Sequence, residues 1–119
     1  MQFRITEGFA KEFKRLVKKY RTLSDDLSKF EKVLAVFPCG NGSKHWNRIH
    51  VSADGEVEIF KVRLACASMK GESRFRVIYA YNRNDGSIEH IDFIDIYFKG
   101  DRANEDRDLI EEYKRGISG

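Results

Sequence analysis

The chain is poor in the residues that break or staple a fold: its 119 residues include one proline and two cysteines, with nine glycines. So little proline argues against a disordered or fibrous chain. Two cysteines cannot make a disulfide framework, and a lone bridge in a reducing compartment does not persist, so Cys39 and Cys66 are read as thiols. The close Cys-x2-Cys pairs of zinc sites are missing, and Cys39, His45, His50 and Cys66 are too scattered to replace them, so no metal is expected. No apolar run approaches the roughly 20 residues of a membrane span, and the first seven residues lack the apolar stretch of a signal peptide. A soluble cytoplasmic protein without membrane contact is expected. Gly-x-Ser-x-Gly, Gly-x-x-x-x-Gly-Lys-Ser/Thr and Gly-x-Gly-x-x-Gly are absent, which removes the triad-hydrolase and nucleotide-loop readings and any small-molecule cofactor they imply.

What is present suits one domain over 1–119, large enough to bury its own core. The net charge is only +3, but it is unevenly placed. Residues 1–50 carry 11 basic and 5 acidic side chains, residues 51–100 carry 7 and 8, and residues 101–119 carry 4 and 6. A basic face and an acidic tail follow.

Phe3 and Ile5 alternate with polar neighbours and predict a short strand. Phe9, Phe13, Leu16, Val17 and Tyr20 then recur at helical spacing. Lys11, Lys14, Arg15, Lys18, Lys19 and Arg21 make the outer side of this helix cationic, as either a solvated or an anion-facing surface. Ser24 as N-cap, Asp25 and Asp26 in the first turn, and Leu27, Phe30, Val33, Leu34 and Phe37 predict a second helix that stops at Pro38. Beyond the loop 39–43 the period changes to alternation. Strands are expected near 48–51, 56–65, 74–81 and 88–98, with turns at Asp54-Gly55, Lys70-Gly71 and Asp85-Gly86. A final helix is expected from Ala103, carrying Leu109, Ile110, Tyr113 and Ile117 and ending at Gly116. The class is α+β in the order βααββββα: a strand and helical hairpin packed on one face of an antiparallel meander, then a short helix, with the other sheet face open.

Alternation sorts that open face. Lys61 and Arg63 oppose Phe60, Val62 and Leu64; Arg74 and Arg76 oppose Phe75, Val77, Tyr79 and Tyr81; Asp95, Tyr97 and Lys99 oppose Ile94, Ile96 and Phe98. Any sheet with one solvated face carries such residues. Their type also suits a phosphate-rich ligand, because Lys61, Arg63, Arg76 and Lys99 neutralise phosphates and Tyr97 can stack on a base. Lys44, His45, Arg74 and Arg102 extend the set as candidate RNA contacts. RNA cleavage without a metal needs a base for the 2′-hydroxyl, cations for the phosphate and an acid for the leaving 5′-oxygen. Lysine, arginine and tyrosine can fill all three roles, with Lys61 as base if crowding by Arg63 and Arg76 lowers its pKa. His90 is expected to pack within the sheet. Trp46 fits either the edge of the core or, with Phe37, an exposed aromatic patch.

The helical hairpin 9–37, Ile59-Phe60-Lys61-Val62-Arg63, Arg74-Phe75-Arg76-Val77-Ile78-Tyr79 and Ile94-Asp95-Ile96-Tyr97-Phe98-Lys99, in this order, resemble the RelE/ParE superfamily of toxins from toxin–antitoxin pairs, and most of all its RelE branch. The resemblance implies a ribosome-dependent endoribonuclease that cuts mRNA by metal-free 2′-hydroxyl attack, inhibits translation and is silenced by a cognate antitoxin protein. It implies that Lys61 and Arg63 are the paired basic residues of one strand, with Lys61 the proton acceptor, and that Arg76 is the arginine of Arg-Val-Ile-Tyr. Lys99 or Arg102 would supply transition-state charge, and Tyr97 or Tyr113 the stacking or acid group, with Tyr97 favoured by its parity with Lys99. The ParE branch implies the alternative, a non-catalytic toxin or binding module that inhibits DNA gyrase or another macromolecule.

Overall fold

A computed structural model describes residues 1–85 and 88–118. The order is β1 (Gln2–Ile5), α1 (Glu7–Lys19), α2 (Leu23–Val36), β2 (Trp46–Val51), β3 (Val57–Cys66), a 3-10 turn (Ala67–Met69), β4 (Glu72–Asp85), β5 (Ile88–Phe98) and α3 (Arg107–Ser118). This is the expected α+β layout. The strands form one sheet, β1-β5-β4-β3-β2, in which β2 to β5 run as an antiparallel meander and β1 joins β5 in parallel. Among the described residues no helix is long and apolar enough to cross a membrane.

The Thr6 hydroxyl caps α1 by accepting from Phe9 N at 3.3 Å, while Lys18 and Lys19 stand at the negative end of the helix dipole. The start of α2 differs from expectation: the helix begins at Leu23, so Ser24 lies inside it and Thr22 takes the cap position. Thr22 is drawn away from capping. Its hydroxyl donates to Asp26 at 2.9 Å and accepts from Ser68 N at 2.8 Å, and Asp26 also accepts from Ala67 N at 3.1 Å. This clasp ties the start of α2 to the turn after β3.

Alternation puts Phe60, Val62, Leu64, Phe75, Val77, Tyr79 and Ile96 under α1 and α2, in a core closed by Phe9, Leu16, Leu23, Phe30 and Leu34. Trp46 packs at the edge of this core, with its ring 5.7 Å from Phe30 and its indole N–H donating to Tyr79 Oη at 2.7 Å. Phe37 stays exposed.

The opposite face is not open along its whole length. Val57, Ile59, Ile78, Ala80 and Ile94 form a second apolar cluster there, covered by Leu109, Ile110 and Tyr113 of α3. Ile94 reaches this cluster because the β4–β5 register shifts between Ile78 and Tyr79: Ile78 pairs with Asp95, Tyr79 with Phe93, and Ile94 is the extra residue. The expected opposition of Ile94 to Asp95 therefore fails at a bulge.

The last helix also starts later than Ala103. Asp106 caps it, accepting from Asp108 N at 2.9 Å and Leu109 N at 3.3 Å, and Gly116 continues the helix instead of ending it, since its φ is not positive. Gly55 and Gly71 take positive φ at the two expected turns, with Lys70 also left-handed at 57°. Gly86 of the third expected turn lies outside the described residues.

A polar network fastens α3 and β1 to β5. Tyr113 Oη donates to buried Asp92 at 2.6 Å, Arg4 Nε donates to the same carboxylate at 2.8 Å, and buried His90 sits 3.2 Å from it. His90 is thus within the sheet, as expected.

Candidate nucleic-acid interface

The half of the second face that α3 leaves uncovered carries one row of side chains across four segments. Arg63 of β3 pairs directly with Arg76 of β4, which pairs directly with Tyr97 of β5. On the other side Arg63 N donates to His45 O at 3.3 Å, so His45, just ahead of β2, completes the row. Three of the five expected catalytic residues, Arg63, Arg76 and Tyr97, thus stand side by side, with His45 from the wider set.

The row is rich in unneutralised charge. Arg63 makes one side-chain bond, from Nη1 to His45 Nε2 at 3.3 Å. Arg76 folds Nη1 back onto the carbonyls of Ser73 and Phe75, at 2.8 and 3.1 Å. Among the described residues no carboxylate pairs with Lys44, Arg63 or Arg76. Like charges directly opposite on neighbouring strands oppose folding, so this pairing is held by the sheet in spite of its electrostatics. Burial, then the charge of Arg63, lowers the Arg76 pKa. Desolvation, then Arg63, Lys44 and Arg76, lowers that of His45, which favours the neutral imidazole near pH 7.

Tyr97 is fully buried, and its hydroxyl finds no hydrogen-bond partner among the described residues. Lys61 stands beside this buried hydroxyl on the same face. The Arg102 guanidinium covers the ring of Tyr97, 4.7 Å from its centroid. Tyr113, the other candidate, donates to Asp92, which pairs with Ala80, four positions along β4 from Arg76. Tyr113 is thus tied to the α3 network, while Tyr97 stands in the row with its ring buried under Arg102.

Lys61 stands two residues from Arg63 on the same face, and its environment differs from the expected one. Its ammonium donates to Glu105 at 2.9 Å. Burial works to lower its pKa, but the bond to Glu105, with Tyr97 beside it, outweighs burial and the net shift is upward. In this arrangement Lys61 is a cation held by Glu105. Glu105 is the neighbour that sequence reading missed, since nothing in the sequence links residues 44 positions apart.

The remaining candidates lie around the row. Lys99 joins Arg74 across β4 and β5 through its backbone N–H, and its ammonium donates to Ala103 O at 2.7 Å, which fixes the connector 99–106. Arg74 is exposed and lies over the Phe98 ring at 5.2 Å. Arg102 is committed to structure: it grips fully buried Asp95 through two nitrogens at 2.8 and 3.1 Å. Exposed Lys44 adjoins His45 and contributes to its lowered pKa.

The described residues hold no group of three or more His, Cys, Asp or Glu arranged for a metal. In comparisons with known proteins, the chain matches no family model, no curated protein and no solved structure.

Proposed function

We propose that this protein acts on RNA, as a toxin-type endoribonuclease that cuts mRNA on the ribosome in the cytoplasm and is held in check by an antitoxin protein. The observation that carries the reading is the row His45–Arg63–Arg76–Tyr97, two unpaired arginines flanked by a proton-transfer group and an unsatisfied hydroxyl. A scissile phosphate on this row would receive charge from Arg63 and Arg76, whose guanidinium forks suit phosphate oxygens. His45, held toward its neutral form, would take the 2′-hydroxyl proton. The 2′-oxygen then bonds to phosphorus as the bond to the 5′-oxygen breaks. The Lys61 ammonium would supply the proton that leaves with the 5′-hydroxyl, and a 2′,3′-cyclic phosphate remains.

The upward shift of Lys61 moves the role of base from Lys61 to His45 in this reading. It also favours one alternative, a binding module that grips a polyanionic or macromolecular target, gyrase included, without cutting RNA. Primer extension on mRNA bound to programmed ribosomes separates the two. Cleavage by the wild type and its loss in Arg76→Ala and His45→Ala, both folded, supports the nuclease. Growth arrest on expression with intact mRNA supports the binding module.

A further inference from the structure

We propose that the groove between α2 and the edge of β3 is a nucleobase subsite, holding the base next to a phosphate bound on Arg63 and Arg76. The inference rests on the anion-binding reading of the row and adds the substrate class of a neighbouring cavity. β2 pairs with β3 only as far as Trp46 opposite Val62, so the end of β3 has no strand beside it on that side. A cavity of about 510 Å³ fills the gap, within the roughly 300–1,000 Å³ of small-molecule sites.

Its lining matches a heterocycle. Phe30 and Val33 of α2, with Trp46, Val62 and Leu64, supply apolar and aromatic surface, and Asn41, Ser43 and Ser73, with Asp26 and Lys29, supply polar groups. The loop is built close to the indole: Gly40 has φ of 91°, and a Cβ placed there would lie 3.3 Å from the Trp46 ring. Any other residue at position 40 would be strained and would crowd the wall of the groove.

The link to the row is structural. Arg63 and His45 stand in the row and also line the groove, joined by their 3.3 Å contact. The cavity therefore rounds the edge of β3 from the apolar side of the sheet to the cationic side. A mononucleotide is the ligand whose two halves fit these two surfaces, with a dianionic phosphate on unpaired arginines and a flat aromatic base against a tryptophan.

Trp46 is the sole tryptophan, so its fluorescence reads this groove directly. The probes are adenosine monophosphate, ribose phosphate and inorganic phosphate, titrated into wild type, Val33→Glu and Arg76→Ala. Val33 is 41% exposed, so the glutamate enters the groove without entering the core. The inference expects adenosine monophosphate to quench Trp46 and to bind about tenfold tighter than ribose phosphate, as base stacking on an aromatic provides. Val33→Glu should remove that advantage and keep the affinity for inorganic phosphate. Arg76→Ala should weaken all three probes. Equal binding of nucleotide and ribose phosphate, or an advantage that survives Val33→Glu, overturns the base subsite while leaving the anion site standing. Failure of all three probes to bind overturns both.

Discussion

Arg63 and Arg76 face each other across β3 and β4, and among the described residues neither has a carboxylate partner. Such a pair destabilises a sheet by a few tenths of a kcal/mol up to about 1 kcal/mol. Arg76→Gln should therefore leave the urea midpoint unchanged or raise it slightly while RNA binding falls. A drop in stability of about 2 kcal/mol would show instead that Arg76 is a structural residue, since core and network losses have that size.

Arg102 has the opposite character. Asp95 is fully buried, and Arg102 is the cation that neutralises it, helped by the backbone N–H of Asp106 at 2.9 Å. Arg102→Ala leaves that carboxylate buried without a counter-charge, and should cost about 3–5 kcal/mol in denaturant unfolding. The contrast between Arg102 and Arg76, two arginines 26 positions apart, separates the part of the face that holds the fold from the part whose charge is unneutralised.

Much of this division was legible in the sequence, and the reasons for the rest are local. Strict alternation along β3 and the first half of β4 put Arg63 and Arg76 on one face, because a strand has no freedom to do otherwise until a bulge intervenes. At Ile94 one does, and parity carried past it misplaces the residue. The cover over the second face had a signal that parity reading passed over: Ile59-Phe60 and Val77 to Tyr81 are apolar on both faces, as strands buried on both sides are. Glu105 had none, since the meeting of Lys61 and Glu105 depends on how the connector 99–106 is folded by Arg102, Lys99 and Asp106.

Glu105 occupies an anion position on Lys61 that a nucleic-acid phosphate could take. Glu105→Gln should free the ammonium and tighten binding of single-stranded RNA by about three- to tenfold, in line with the ~1 kcal/mol typical of a partly exposed ion pair. The midpoint of an anisotropy titration at fixed salt measures this. Unchanged or weaker binding would mean that Lys61 is no part of the interface.

The lowered His45 pKa fixes the sign of a pH effect. A bound phosphate favours the imidazolium, so binding takes up a proton and affinity rises as pH falls through the window below about 6.5. Folding of the free protein follows the reverse course: the folded state disfavours the charged ring, so the His45 contribution to stability is lost as pH falls through the same window. A 2′-deoxy oligonucleotide, whose phosphodiesters keep one charge each throughout, isolates the effect. His45→Gln should flatten the affinity profile between pH 7.5 and 5.5, and an unaltered slope would place proton uptake elsewhere.

The central claim is that Arg63 and Arg76 bind RNA by position and not through net charge alone. The direct test compares wild type, Arg63→Gln/Arg76→Gln and Lys14→Gln/Lys18→Gln for binding to a fluorescein-labelled single-stranded RNA across a salt series. Both double variants lose two positive charges, and Lys14 and Lys18 are exposed on α1. The account predicts at least a tenfold loss of affinity and a salt slope shallower by about 1.4, for two lost phosphate contacts, in the row variant, with little change in the α1 variant. Equal losses in the two variants, or none in the row variant, would contradict it.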